Sequence, residues 1–202
     1  MYAIVTDNEI TKFINHPKSL VIGDVRYPAK IFSVWSASEL NAIGIYEVVF
    51  DNSNKKDEKW YINTNQSFDF DGNEVTASYG TATPKAHADI LFTAQDETDG
   101  LGTEGEVATR GLKYNLIQTL KSQVANELAR TDWYITRNTE KSTAIPSAIS
   151  THRDAVRTKQ AEMETAITNA SDTPALETLY TYTEQEDGTV TRPLGELPVL
   201  ES

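Results

Sequence analysis

The sequence predicts an α+β protein, in which a small β-rich module precedes a helical hairpin. In the first 80 residues, short apolar runs alternate with turn residues, the usual pattern of short strands and hairpins. After residue 110, apolar residues instead recur at helical spacing. We therefore expect four segments: a β-rich module at 1–80, an acidic, glycine-containing linker at 81–110, a helical hairpin at 111–180 and an extended tail at 181–202.

Two hairpins are predicted in the β-rich module. The first joins a strand that begins at Tyr2 to a strand that ends at Ile14, through the turn residues Asp7 and Asn8. The second is the segment SFDFDGNEVTASY, where apolar residues alternate on each side of a turn at Asp71. The module is thus expected to contain paired strands joined by tight turns.

A short helix is predicted between these hairpins, in the segment WSASELNAIGIYEVVF. Ser36 and Glu39 have the three-residue spacing of a capping box, in which each residue binds the other's backbone N–H. Gly44 suits the left-handed backbone that commonly ends a helix. A further strand follows at 45–50.

The second half predicts two long helices joined as an antiparallel hairpin. Four apolar residues recur every four positions in the first helix: Leu112, Leu116, Leu120 and Val124. Four more have near-heptad spacing in the second, whose first turn contains Pro146: Ile149, Val156, Met163 and Ile167. A brief third helix is expected next, with Asp172 or Thr173 as its cap and Pro174 at its first position.

Composition excludes several classes of function. The net charge is −12, from 30 acidic and 18 basic residues, and such a surface repels the phosphate backbone of nucleic acids. The absence of cysteine excludes disulfides, thiolate metal sites and cysteine nucleophiles. No apolar run approaches the length of a membrane span, and MYAIVTDNEI lacks the features of a secretory signal. We expect neither nucleic acid nor a membrane as partner.

Two motif matches do not support a site. The glycines at 100–105, GLGTEG, fit the dinucleotide fingerprint, but acidic residues surround them and no strand ends directly before them. Asp69, Asp71 and Asn73 resemble the start of a calcium loop, but the glycine is misplaced and no helix flanks the run. An acidic loop and a hairpin turn are the favoured interpretations.

Histidines and carboxylates give no local catalytic or metal-binding pattern. His16, His87 and His152 are far apart, and His152 is expected on the surface of the second helix. No Ser-His-acid grouping is supported by spacing. We therefore expect no enzymatic activity, no catalytic or metal-binding residue and no cofactor.

The segment LARTDWYITR interrupts the helical pattern at Thr131, Asp132 and Trp133. A tryptophan just after a helix usually folds back and is buried against its end, so we expect this of Trp133. Asp132 is expected to cap the next turn. Three arginines are expected to be exposed, their stems lying along apolar surface: Arg137, Arg153 and Arg157. With Trp133 they are the candidate partner-binding residues.

The order of these segments resembles the phage tail assembly chaperone and tail fibre assembly protein families. Members carry a leucine-rich helix, then T-D-W, then an arginine-containing helix of the Y-R-x-x-L-R type. In this sequence the last pattern is found at 152–157, with His152 in place of the usual Tyr and Val156 in place of Leu. The match covers about residues 111–160, and an acidic residue often found near Pro146 is missing.

The N-terminal half and the tail also look like proteins of marine tailed phages, notably those of cyanobacteria. The segments that carry this likeness are WSASELNAIGIYEV, YINTNQSFDF and TRPLGELP. The resemblances imply a non-enzymatic protein that binds tail or tail-fibre subunits and is retained in the virion. Two alternatives remain open: a transient assembly chaperone of the host cytoplasm, and a glycan-binding or glycan-active accessory protein. Self-association within an assembly is also left open.

Overall fold

A computed structural model describes residues 1–200 of the 202-residue chain. The last two residues of the expected tail, Glu201 and Ser202, lie outside this description. The chain divides into two compact units, Met1–Thr83 and Pro84–Ser202. Most strands lie in the first unit and the long helices in the second, which confirms the predicted α+β class.

The first unit is built on a five-stranded sheet. Its strands follow the order β2-β1-β5-β8-β7, and neighbours are antiparallel except for the parallel pair of β5 and β8. The elements of this unit are β1 (Tyr2–Thr6), β2 (Glu9–Ile14), β3 (Leu20–Ile22), β4 (Val25–Tyr27), α1 (Ile31–Val34), α2 (Ala37–Asn41), β5 (Ile45–Asp51), β6 (Tyr61–Ile62), β7 (Ser67–Phe70) and β8 (Val75–Ser78).

Both predicted hairpins are present. Asp7 and Asn8 connect β1 to β2 with φ angles of 53° and 64°, the left-handed conformation that a tight hairpin turn requires. Asp71 connects β7 to β8, and its Oδ1 accepts hydrogen bonds from the backbone N–H groups of Asn73 and Glu74. These bonds stabilise the carboxylate and hold the pKa of Asp71 below its usual value. The carboxylate therefore holds the turn, as the hairpin interpretation requires.

The predicted capping box and helix end are also confirmed. Ser36 Oγ accepts the backbone N–H of Glu39, and Glu39 Oε2 accepts the backbone N–H of Ser36 at 2.7 Å. Gly44 has a φ of +79°, and a Cβ there would lie 2.6 Å from the carbonyl oxygen of Val5. Glycine is therefore required at position 44 both by the backbone conformation and by the close approach of β1.

The sheet has an apolar core on each of its faces. One core contains Ile31, Leu40 and Ile45, and it lies beneath α1 and α2. The other core consists of the buried residues Ala3, Val48, Val75 and Ala77. Partly buried aromatic side chains pack against them. The rings of Phe13 on β2 and Phe68 on β7 lie 4.4 Å apart, so the sheet curls until its two edge strands meet.

The second unit consists mainly of helices. Its elements are β10 (Ile90–Leu91), α3 (Ala94–Thr98), β11 (Val107–Thr109), α4 (Leu112–Ala129), α5 (Asp132–Lys141), α6 (Ser147–Asn169), α7 (Thr173–Tyr180), β12 (Thr183–Glu184) and β13 (Val190–Thr191), and β9 (Thr83–Pro84) lies at the boundary between the units. The spacing of apolar residues predicts the first long helix over 112–129, which are the bounds of α4. Pro146 directly precedes α6, and Asp172 caps α7 through the backbone N–H of Ala175 at 2.8 Å.

Helices α4 and α6 are antiparallel, as the hairpin prediction requires. Lys113 near the start of α4 donates to the carbonyl of Thr168 near the end of α6, at 2.8 Å. At the opposite end, Arg153 of α6 donates to the carbonyl of Leu128, also at 2.8 Å. The predicted apolar stripes supply the buried side chains between these ends: Leu120, Val124, Ile149, Val156, Met163 and Ile167. The hairpin differs from a simple one because its connection contains a third helix, α5, which follows α4 and precedes α6 in the chain.

The segment expected to be a flexible linker is regular and belongs to the second unit. β10 and β11 form a two-stranded ribbon around α3, which begins with a capping box of Thr93 and Asp96. Leu112 donates its backbone N–H to the carbonyl of Ala86, and this bond ties the segment to the start of α4. Local capping and backbone pairing thus order a stretch whose acidic, glycine-containing composition suggested flexibility.

The expected extended tail also returns to the fold. β12 and β13 form a short hairpin, after which Leu194 is buried and donates its backbone N–H to the carbonyl of Leu179 at 3.0 Å. The guanidinium of Arg192 lies over the rings of Tyr180 and Tyr182. These contacts fix the tail against α7 at least as far as Leu194.

Candidate protein-binding surface

The break in the helical pattern lies at Thr131. This residue leaves the helical conformation, with φ −117° and ψ 3°, between the end of α4 and the start of α5 at Asp132. Its side chain is almost fully buried, and its hydroxyl donates to the carbonyl of Leu128 at 3.0 Å. The break is therefore a kink with a defined geometry, after which the chain resumes a helix.

Arg153 stabilises this kink and is buried, so its predicted exposure is wrong. Its Nη1 lies 2.8 Å from the carbonyl oxygen of Leu128, 2.7 Å from Thr131 Oγ1 and 2.9 Å from Asp132 Oδ1. The residue as a whole is only 7% exposed. The kink creates this environment, because it leaves a carbonyl, a hydroxyl and a carboxylate facing one point of α6. Arg153 therefore joins α4, α5 and α6 and offers little surface to a partner.

His152 is also buried, contrary to the predicted surface position. Its Nε2 lies 3.1 Å from Glu127 Oε1, and Oε2 of the same glutamate accepts from Arg130 at 3.0 Å. Because α4 and α6 are antiparallel, Glu127 faces the first turns of α6 and provides a polar partner there. His152 and Arg153 together therefore attach α6 to the end of α4.

Trp133 is half exposed, so its predicted burial against the end of α4 is wrong. The chain is helical again from Asp132, and Trp133 is carried on α5 without folding back. Its ring lies 3.7 Å from that of Tyr134, centroid to centroid. The guanidinium of Arg137 lies over both rings, 4.8 Å from Trp133 and 5.6 Å from Tyr134. Two of the four candidate residues thus form one aromatic–arginine cluster.

The remaining candidate, Arg157, makes no described contact with this cluster. Its side chain is half exposed and pairs with Asp154 of the same helix at 3.5 Å, a contact that contributes little to stability. Arg137, in contrast, is partly buried, and its Nε is shielded from solvent without a hydrogen-bond partner within residues 1–200. The structure therefore joins Trp133 with Arg137, places Arg153 in the interior and leaves Arg157 on the surface.

Helix α5 presents an unusual surface for its length. None of its ten residues is buried, although it carries three large apolar or aromatic side chains in succession, at positions 133–135. Ile135 is 39% exposed in addition to Trp133 at 50%. We define the α5 surface as Trp133, Tyr134 and Arg137, which contact one another, whereas Ile135 lies on another side of the helix. The sequence analysis did not identify Tyr134 and Ile135 as surface residues. The signal that could have identified them is their position next to Trp133 in a helix that resumes at Asp132.

The described part of the chain offers no metal centre. Between residues 1 and 200, no group of three or more His, Asp or Glu side chains is arranged to hold a metal ion. Within the fingerprint-like glycines, a Cβ on Gly102 would lie 2.4 Å from the ring of Phe92, so this glycine permits close packing of a side chain. None of the helices described is both long and apolar enough to cross a membrane.

No protein-family model, curated protein or solved structure matches this chain significantly.

Proposed function

We propose that this chain is a non-enzymatic phage tail-associated protein that binds a tail or tail-fibre subunit through the α5 surface. The observation that carries the proposal is the exposure of Trp133, beneath the guanidinium of Arg137, on a helix none of whose ten residues is fully buried. Tryptophan, tyrosine and arginine are the residues most enriched among binding hot spots. Their concentration on one exposed helix favours a protein partner.

The geometry favours insertion of α5 into an apolar groove of the partner. Trp133 and Arg137 are four residues apart and therefore share one face of the helix. The guanidinium already lies over the indole, so the two side chains are ordered before binding and lose less conformational entropy.

The resemblance to tail assembly proteins supplies the class of partner. In the segment that carries it, Thr131, Asp132 and Arg153 hold the kink, whereas Trp133 is half exposed and has the guanidinium of Arg137 over its ring. One short motif thus combines a rigid support with a presented surface. We place the protein in the virion tail, and in the host cytoplasm during assembly.

A photocrosslinker at position 133 tests the partner class directly. We would replace Trp133 by p-benzoyl-phenylalanine in cells that assemble the phage, and identify the crosslinked protein by mass spectrometry. Tyr114 of α4 is the matched control position, because it is also an exposed aromatic residue beneath an arginine, with Arg110 at 4.2 Å. We expect a crosslink to a tail or tail-fibre protein from position 133 and none from 114.

Binding of the purified pair then measures the contribution of α5. We expect Trp133→Ala to weaken binding at least about tenfold, and Tyr114→Ala to leave it unchanged. Because Trp133 is half exposed, its replacement is expected to lower the free energy of unfolding by no more than about 1 kcal/mol. A loss of binding at retained stability therefore reports on the interface. Equal binding by wild type and Trp133→Ala would overturn the role of α5.

The copy number in purified particles decides between a resident protein and a transient one. A fixed ratio to the tail proteins is expected for a structural component. Absence from particles, together with abundance in infected cells, would instead establish the chaperone alternative. A partner that is not a tail or fibre protein would overturn the proposed function.

A further inference from the structure

A small pocket opens beside the two short helices of the first unit. Its volume is about 100 Å³, and the side chains that matter for its chemistry are Tyr2, Phe32, Trp35, Asn41 and Glu47. Tyr2 and Glu47 lie directly opposite each other in the register of β1 and β5, so both project from the same face of the sheet. The pocket thus combines three aromatic side chains with one carboxylate.

The aromatic side chains that line the pocket are held by contacts with other rings. The rings of Tyr2 and Phe32 are 4.8 Å apart and inclined by 50°, which forms a corner. The indole of Trp35 packs edge-on against Tyr27, at 5.8 Å and 78°. Trp35 also directly precedes Ser36, whose capping box fixes the start of α2. The site is therefore formed before any ligand binds.

Glu47 gives the pocket its charge. Its side chain is exposed, and in the described chain no Lys, Arg or His forms an ion pair with its carboxylate. Aromatic faces attract cations through their quadrupole, and an adjacent carboxylate adds a direct charge interaction. Asn41 brings no charge to the pocket. Its amide nitrogen, suitably oriented, donates to the carbonyls of Ala37 and Ile45.

We propose that this pocket binds an organic ammonium group. The volume of about 100 Å³ suits a single cationic head group and is far below the roughly 300 Å³ or more of pockets that enclose a whole small molecule. The net charge of −12 raises the local concentration of cations and speeds their approach. This site lies in the first unit and does not depend on the α5 surface or on its partner.

Titration of the full-length protein with tetramethylammonium chloride tests the proposal. We would follow backbone and indole N–H signals by NMR at low ionic strength, with tert-butanol as an uncharged probe of similar size. We expect saturable shifts confined to the pocket and Trp35, with a Kd on the order of 1 mM, and none of comparable affinity for tert-butanol. No saturable shift, or equal binding of the uncharged probe, would overturn the proposal.

Matched variants separate the charge from the rings. Glu47→Gln keeps the shape of the side chain and is expected to weaken binding at least about fivefold, whereas Glu9→Gln at an exposed position of β2 is expected to leave it unchanged. Phe32→Leu retains an apolar wall without the ring and is expected to weaken binding to a smaller extent. Melting curves identify any variant that has lost its fold. Unchanged affinity for Glu47→Gln would overturn the assignment.

Two ligands distinguish the sources of the ammonium group. Nα-acetyl-lysine methylamide represents a lysine side chain of another protein, and choline represents a free quaternary amine. Tighter binding of the first assigns the pocket to a protein contact, and tighter binding of the second to a small molecule. Binding of neither would overturn the proposal.

Discussion

At the scale of single residues, Arg153 and Arg157 differ in burial, although the sequence pattern does not distinguish them. They are four residues apart and nominally share a face of α6. Arg153 lies beside the α4–α5 kink and contacts three oxygen atoms, whereas Arg157 lies about 6 Å further along the helix and is half exposed. The spacing could not separate them, because the difference arises from a neighbouring element.

Replacing these two arginines should therefore have unequal effects on stability. We expect Arg153→Met to lower the free energy of unfolding by about 2–4 kcal/mol, since it removes a buried charged donor from the Leu128 carbonyl and leaves the buried Thr131 hydroxyl oxygen without the donor it accepts from. Arg157→Met should change it by less than about 0.5 kcal/mol. Urea denaturation followed by circular dichroism at 222 nm measures both.

A double-mutant cycle identifies the cause of the Arg153 effect. Thr131→Val removes the hydroxyl that Arg153 contacts at 2.7 Å. If the contact is responsible, the double variant should lose less stability than the sum of the two single losses, by at least about 0.5 kcal/mol. Strict additivity would contradict our account of the kink.

At the scale of elements, a helix or strand is predictable from the sequence when it is long enough to show a periodic pattern or when residues close in sequence bind each other. The bounds of α4 followed from its apolar stripe, and α2 from the capping box of Ser36 and Glu39, because the interactions lie within a few residues. The segment 81–110 was misjudged, since α3 spans five residues and β10 only two, too few for a periodic pattern. The α5 surface was found only in part, because its exposure depends on how α4 and α6 pack.

Asp89 connects this misjudged segment to the start of α4. Gly111 precedes the helix and has no side chain to cap it, but its backbone N–H donates to Asp89 Oδ1 at 2.8 Å. Oδ2 of the same carboxylate pairs with Arg110 at 2.6 Å. Chiefly the backbone hydrogen bond, and then the arginine, hold the pKa of Asp89 below its usual value of 3.8.

The depressed pKa of Asp89 predicts the direction of a pH effect. Because the folded state favours the carboxylate, its contribution to stability is complete above the usual pKa and is lost as the pH falls through the lower folded value. We expect wild type to be more stable than Asp89→Asn at pH 7, and this difference to shrink as the pH falls below about 4. Denaturant titrations between pH 7 and pH 2.5 measure it.

Asp154→Asn is the matched control for this experiment. Asp154 forms an exposed pair with Arg157 in the same unit, so its replacement should change stability by less than about 0.5 kcal/mol at pH 7. A difference between wild type and Asp89→Asn that stays constant down to pH 2.5 would contradict the assigned cap.

At the scale of the whole molecule, each unit has its own core. In the first, apolar residues lie on both faces of a curled sheet, and in the second they lie between α4, α6 and α7. The sequence placed the boundary at a linker of 30 residues, whereas the compact units meet in sequence at Thr83 and Pro84. The change in composition after residue 80 indicates where the first module ends. The hydrogen bonds that residues 85–111 form with α4 and α7 assign this segment to the second unit.

This division predicts that residues 84–202 fold without the first unit. Their buried side chains and the anchoring bonds of Ala86, Asp89 and Leu194 all lie within the fragment, so we expect a cooperative thermal transition followed at 222 nm. A shorter fragment, 84–192, lacks Leu194, which is only 3% exposed, and should lose about 2–4 kcal/mol of unfolding free energy. A longer truncation control, 84–197, keeps Leu194 and should retain most of the stability. If 84–192 were as stable as 84–197, the tail would be an appendage, as the sequence alone suggested, and the burial of Leu194 would have no energetic consequence.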